Sequence, residues 1–314
     1  MEGMRLAAID VGTQSVKLSV GKVMPDGTIH IIDRHRMTAQ LSMSEATGVI
    51  GADAINHVAE RVAEACDRAR SLGAARICVV GTSAPREAVN AAALQEAVAA
   101  ACGVDLRLIT GEEEARLAWD AVSSSLADDE SAALVDVGGG STEVVFGQGA
   151  SIGFAVSMPM GAVRCADRFA LRERVSPEAR RELEQWIDQC LPRAGVPRGE
   201  GVGRVFATGG TVTVLTMLAR TGMKLPHDQQ SLAGKVDGAT LTTPCIRETI
   251  ESLASMNSQQ RAAATGLSTL RSEVITPGGL ILDRVLRWIG AEACEVRELG
   301  LRDGMLRRMA ADAM

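Results

Sequence analysis

Hydrophobic and polar positions alternate in short bursts over the first part of the chain. Arg5–Asp10 is an apolar run of strand length, Gly12–Ser15 is a turn, and Val16–Val20 alternates again. Met24-Pro25-Asp26-Gly27 is a strong turn signal, and Thr28–Arg34 forms a third strand, so the chain opens as an antiparallel meander. The period then lengthens. Ile55, Val58, Val62, Ala65, Cys66 and Ala69 recur at helical spacing and predict a helix over Ala52–Leu72. Further along, Arg76–Val80 and Asp105–Ile109 read as strands and the Ala-rich stretch Glu87–Ala101 as a helix. An acidic helix begins at Glu112-Glu113-Glu114 and runs to about Ser123.

The polar, aperiodic stretch Ser124–Ser131 reads as a link. Beyond it the opening pattern returns, with strands predicted at Ala132–Val137, Thr142–Gly147 and Ser151–Met158. Ser176-Pro177-Glu178 has the N-cap, early Pro and early carboxylate of a helix start. Thr243-Pro244 and Thr276-Pro277 predict two more helix starts by the same logic. Val205–Ala207 is a strand that runs into Thr208-Gly209-Gly210-Thr211 and a helix, and a last helix covers about Leu301–Ala311.

The repeat outweighs any single element. Asp10-Val11-Gly12-Thr13-Gln14-Ser15 and Asp136-Val137-Gly138-Gly139-Gly140-Ser141 share D-V-G-x-x-S, each between two strands, about one domain length apart. Two similar α/β domains follow, expected at 1–124 and 125–300, with the final helix at about 301–314 packing back on the first.

Composition narrows the picture. With 314 residues, 46% hydrophobic and 23% charged, the chain is neither disordered nor a small disulfide scaffold. Aromatics are only 2% and the net charge is −6, which argues against nucleic-acid binding by base stacking or a basic field. All but four of the 33 basic residues are Arg, a residue suited to gripping phosphate, although compositional bias alone gives the same pattern. The seven Cys and four His make no metal spacing. With no visible signal peptide or apolar span of membrane length, the expected compartment is the cytoplasm.

The two turns offer backbone N–H groups beside glycines, a nest suited to phosphate. Asp10 and Asp136 stand where a carboxylate reaches a divalent cation. Taken singly, each turn is equally a tight hairpin with a local Asp bond. Thr208–Thr211 differs, because its N–H groups open a helix. Neither a Rossmann fingerprint nor a P-loop is present.

Seven segments carry a resemblance: AIDVGTQS (Ala8–Ser15), GTSAPREAVN (Gly81–Asn90), ITGEEEARLAW (Ile109–Trp119), LVDVGGGSTEVVFG (Leu134–Gly147), MGAVR (Met160–Arg164), FATGGT (Phe206–Thr211) and VRELGLRDGML (Val296–Leu306). In order and content they resemble the exopolyphosphatase/guanosine pentaphosphate phosphatase family of the actin–Hsp70–sugar-kinase superfamily. The resemblance implies two actin-like (ribonuclease H-like) domains with an interdomain cleft. The implied reaction is Mg²⁺- or Mn²⁺-dependent removal of the terminal phosphate of inorganic polyphosphate. Alternatives are pppGpp 5′-phosphohydrolysis, which would tie the chain to the stringent response, phosphotransfer between polyphosphate and a nucleotide, and a non-catalytic sensor. A homodimer is a prior, and no membrane partner is expected.

By the same resemblance, Glu114 is the base for the attacking water, Arg86 contacts phosphate, and Glu143 binds metal or positions water. Asp10, Asp136 and Glu143 form the candidate metal group. Gly12, Thr13, Gln14, Ser15, Gly138, Gly139, Gly140, Ser141, Gly209, Gly210 and Thr211 are the candidate phosphate cradle. Arg164, Arg168 and Arg271 are candidate track cations, whereas Arg172, Arg174, Arg180 and Arg181 read as solvated. Gln14 stands where the family usually has Asn, one methylene shorter.

Overall fold

The structure is a computed structural model and describes residues 3–39, 41, 47–199, 202–225 and 234–312. His227 therefore lies outside the described residues. The chain divides into two compact units, Met1–Ala121 with Leu301–Met314, and Val122–Gly300.

In the first unit, β1 (Arg5–Val11), β2 (Ser15–Val23), β3 (Ile29–Thr38), β4 (Arg76–Gly81) and β5 (Leu106–Leu108) form one sheet in the order β3-β2-β1-β4-β5. The meander pairs antiparallel, and β1, β4 and β5 run parallel. One face packs on α1 (Ala52–Ser71) and α3 (Ala91–Cys102) through Ile9, Val11, Val58, Val62 and Leu94. The other face meets α11 (Leu301–Ala311) through Leu6, Ala8, Met305 and Leu306.

The second unit repeats the plan. Its strands β6 (Ser131–Val137), β7 (Thr142–Gln148), β8 (Ser151–Met158), β9 (Arg204–Thr208), β10 (Thr240–Thr242) and β11 (Ala293–Val296) are ordered β10-β11-β9-β6-β7-β8. The short β10 and β11 escape sequence periodicity because three or four residues carry too little pattern. The helix α6 (Pro177–Arg193) starts as its sequence predicts, with the Ser176 hydroxyl accepting from the Ala179 N–H.

Four expectations change. The stretch 87–101 is not one helix: α2 (Ser83–Glu87) ends first, and Asn90 breaks the run because its amide bonds both the N–H and the C=O of Ile50. The helix α8 (Thr243–Ala254) is capped by Thr242 rather than Thr243. Thr276-Pro277 does not open a helix but lies inside α10 (Thr269–Trp288). There Thr276, Pro277, Gly278 and Gly279 are all buried, and the lost backbone bond is outweighed by tertiary packing. Finally, Arg172 and Arg180 are ion-paired, Arg172 with Asp167 and Glu273 and Arg180 with Glu184 and Glu251.

Candidate active site

Every candidate turn sits at the carboxyl end of a central strand, where open α/β sheets bind ligands. In the second unit the triple-glycine turn is held by α5 (Ala162–Arg168). The carbonyl of Gly138 accepts from the Ala162 N–H, that of Gly139 from the Val163 and Arg164 N–H groups, and that of Gly140 from Arg164 Nε. A trans peptide places its N–H opposite its C=O. The N–H groups of Gly139, Gly140 and Ser141 are therefore all turned away from α5, which is an anion nest. This is the local job of the Met160–Arg164 segment, and Arg164 is committed to it.

The turn glycines do not serve a left-handed backbone. Among Gly12, Gly138, Gly139 and Gly140 none has positive φ. A Cβ at Gly161 would overlap the backbone of Gly139 and Gly140. Gly209 is different: its φ of 100° is a left-handed value, and a Cβ there would lie 2.6 Å from Asp136 Oδ1. It opens α7 (Gly210–Arg220), whose first turn includes Thr211.

In the first unit the carbonyls of Thr13 and Gln14 accept from the Leu41 and Ala39 N–H groups. The N–H groups of Gln14 and Ser15 consequently face the other way. The Thr13 hydroxyl is buried with no hydrogen-bond partner among the described residues, an orphaned donor within the turn.

Strand register places the charged groups in rows. Asp136 pairs with Glu143, Glu143 with Ser157, and Asp136 with Thr208. Glu143 is 2% exposed, and its Oε1 accepts from the Ser157 hydroxyl at 2.6 Å. The equivalent row in the first unit is Arg36, Lys17, Asp10 and Val80. Lys17 Nζ donates to Asp10 Oδ2 at 3.0 Å, and the Thr82 hydroxyl lies 3.4 Å from Oδ1. Arg302 of α11 donates to the Leu18 carbonyl at 2.6 Å. Its guanidinium pKa is lowered by burial, opposed chiefly by Asp303. Lys17 and Arg302 were invisible to motif reading: only the strand register and the helix contact bring them to the turn.

These rows decide the fit of a divalent cation. Asp136 and Glu143 are hard oxygen donors on one face and fit Mg²⁺, which takes one or two carboxylates and completes its shell with water and phosphate. Asp10, expected as a third ligand, is instead engaged by Lys17. Among the described residues no three His, Cys, Asp or Glu side chains gather into a metal-holding group.

The three glutamates of α4 (Gly111–Val122) separate clearly. Thr110 caps the helix through its hydroxyl, which accepts from the Glu113 N–H. Glu112 pairs with Arg116 and Glu113 with Arg107, at more exposed positions. Only Glu114 turns inward, its side chain 12% exposed, with Oε2 accepting from Arg86 Nη1 at 2.9 Å. The same Nη1 donates to the Ile109 carbonyl at 3.1 Å. Nε and Nη2 of Arg86 make no hydrogen bond among the described residues. One arm of the fork thus fixes the carboxylate, and the other edge is available to a ligand.

The other track candidates differ. Arg168 stacks over Trp186 at 4.8 Å. Arg271, in the first turn of α10, has its pKa lowered by burial and makes no hydrogen bond among the described residues. Trp119 is fully buried, and Trp186 and Trp288 pack against the core from part-buried positions.

Two glycine-turn sheets of this kind, packed with helices, define an actin-like fold. A family model described as the Ppx/GppA phosphatase family matches residues 20–313, and the chain belongs to that family. Exopolyphosphatase 1 of Mycobacterium tuberculosis is 30% identical over 318 residues, spanning 99% of this chain and 90% of that protein. The Ppx/GppA family member of Aquifex aeolicus superposes with a TM-score of 0.81 at 28% identity, covering 99% of this chain and 98% of that one. An exopolyphosphatase from Cytophaga hutchinsonii, at 21% identity and a TM-score of 0.86, shares the fold over 98% of both chains. Among the described residues no helix is long and apolar enough to cross a membrane.

Proposed function

We propose that this protein is an exopolyphosphatase, a phosphoanhydride hydrolase that removes the terminal phosphate of inorganic polyphosphate by attack of water. The observation that carries this reading is the inward Glu114, held by Arg86 with half of the guanidinium fork left over. Glu114 orients the water and accepts its proton as the nucleophile forms. Nε and Nη2 of Arg86 grip the transferring phosphoryl group and stabilise its developing charge. The N–H groups of Gly139, Gly140 and Ser141 with the first turn of α7 in the second unit, and those of Gln14 and Ser15 in the first, are each suited to phosphate oxygens. Asp136 and Glu143 would hold Mg²⁺, which neutralises charge on the phosphates when bound. Lys17 balances buried Asp10 and leaves the first turn without net negative charge.

Relatives that align with most of this chain are named exopolyphosphatases. The test is phosphate release with Mg²⁺ from long-chain polyphosphate and from pppGpp, by the native chain and by Glu114→Gln. Turnover of polyphosphate should fall ~10²–10⁴-fold in the variant, the range for a lost general base, with binding retained. Near-native turnover by Glu114→Gln removes that residue from the chemistry. Preference for pppGpp moves the protein to alarmone hydrolysis.

A further inference from the structure

One short segment of the second unit supports two parts of the site. Between Ser157 and Ala162 the chain leaves β8 and enters α5. At its start the Ser157 hydroxyl donates to Glu143 Oε1 at 2.6 Å. Further on, the Met160 carbonyl accepts from the Thr142 hydroxyl. At its end Gly161 lies against the backbone of Gly139 and Gly140, and the Ala162 N–H donates to the Gly138 carbonyl. The buried carboxylate and the glycine turn are therefore held from one continuous stretch of chain.

Strand pairing puts Ser157 in place. It stands directly opposite Glu143 on antiparallel β7 and β8, so the two side chains share a face. The ladder is regular from the Thr142–Met158 pair to the Phe146–Phe154 pair, and its register shifts only beyond, between Phe146 and Gly147. A slip of one residue would turn Ser157 to the other face. The 2.6 Å contact has the length of a hydroxyl bond to an ionised carboxylate. Glu143 is buried, where a carboxylate is costly unless donors hold it. A glutamate also has several side-chain torsions to freeze, and a ligand already ordered binds better than one ordered at the moment of binding.

We propose that Ser157 is a positioning residue for cation binding: its hydroxyl presets the Glu143 carboxylate on the face it shares with Asp136, next to the triple-glycine turn. This rests on the reading that Asp136 and Glu143 hold Mg²⁺. In this role Ser157 acts only through Glu143. Hydrogen bonds to the carboxylates that bind a metal fix their orientation, and losing such a partner costs about 10–100-fold in metal affinity. Ser157 lies outside both the glycine turn and the Met160–Arg164 segment, so only the β7–β8 register brings it to the site.

The experiment follows Mn²⁺ binding by electron paramagnetic resonance of the free ion, alongside polyphosphate hydrolysis at varied Mg²⁺. The proteins are the native chain, Ser157→Ala, Ser157→Thr, Glu143→Gln and the double variant Ser157→Ala/Glu143→Gln. Ser157→Ala should weaken Mn²⁺ binding by about 10–100-fold and raise the Mg²⁺ needed for half-maximal turnover by a similar factor. The KM for polyphosphate at saturating Mg²⁺ should change far less. Ser157→Thr, which keeps the hydroxyl, should recover most of the loss. The double variant should bind Mn²⁺ no more weakly than Glu143→Gln alone. Native Mn²⁺ affinity in Ser157→Ala overturns the proposal, and a lowered Tm with that affinity unchanged assigns the hydroxyl to folding alone. A loss that Ser157→Thr does not recover, or one that adds to the loss in Glu143→Gln, also overturns it. Failure of the underlying reading looks different: Glu143→Gln would then bind Mn²⁺ as the native chain does.

Discussion

The two glycine turns stand on matched strand pairs and carry opposite charge. In the first unit the residue facing the turn's aspartate is Lys17; in the second it is Glu143. With Arg36 beside Lys17 in one row and Ser157 beside Glu143 in the other, the first row is net positive and the second net negative. The backbone solves the same problem in both places: carbonyls are tied down on one side, and N–H groups are turned to the other. The side chains differ where the backbone does not, because the turn is made of backbone and the charge is made of single residues.

The sharpest way to break this division is to erase it. Glu143→Lys would cancel the negative charge of the second row, with the new ammonium facing Asp136 as Lys17 faces Asp10. Lys17 is partly exposed whereas Glu143 is buried, so the test includes Glu143→Gln, which removes the charge at nearly the same volume. Turnover with Mg²⁺ should fall about 10²–10³-fold, the scale of losing one preorganised electrostatic stabiliser, and the response to added Mg²⁺ should flatten. A circular-dichroism melt close to native, together with a Mg²⁺ titration, checks both parts. Retained Mg²⁺-dependent turnover would show that the acidic row is not the cation site.

A second, smaller effect separates the turns by packing. Gly161 lies against the backbone of Gly139 and Gly140, so Gly161→Ala must push the nest itself. A Cβ at Gly12 meets Ser15 and Thr82 oxygens at 3.6 Å, which is ordinary contact. We expect Gly161→Ala to raise the KM for polyphosphate about tenfold, in line with misplacing two or three weak anion contacts, and Gly12→Ala to raise it less. Equal effects would mean that the two turns are supported alike.

Much of this architecture is legible in the sequence. The meander, the repeated D-V-G-x-x-S turn and the helical spacing of Ile55 to Ala69 are strong periodic signals, and the elements formed there match. Legibility fails where tertiary context decides. Pro277 reads as a helix start because local rules dominate the reading, whereas burial keeps it inside α10. Asn90 interrupts the helical run by bonding Ile50, forty residues earlier in sequence, a partner that no local window contains. The same holds for the candidate site. The glycines and Glu114 can be picked from motifs, but Lys17 and Arg302 are found only through register and packing. Asp10 reads as a free carboxylate in sequence because its cross-strand partner is seven positions away along the chain.

Buried carboxylates also differ between the units, and this gives the smallest expected effect. Asp10 has a direct ammonium partner, whereas Asp283 of α10 has an Oδ1 that is buried without a hydrogen bond, with Arg247 Nε only at 3.6 Å. Burial raises the Asp283 pKa, partly opposed by Arg247, Arg287 and Arg284. The sign follows from linkage: a carboxyl with a raised folded pKa binds its proton more tightly in the native state than in the unfolded chain. Its contribution is therefore least harmful below the ordinary carboxylate pKa and becomes destabilising as pH rises through the raised value. Asp283→Asn removes that ionisation. Near neutral pH it should raise Tm by about 2–4 °C if roughly 1 kcal/mol is relieved, and the gain should shrink in mildly acidic buffer. Thermal melts of both proteins across that pH range measure it directly. A loss of stability at every pH would show instead that the Arg247–Asp283 attraction outweighs the burial of the charge, and that the second unit balances its buried carboxylate as effectively as the first.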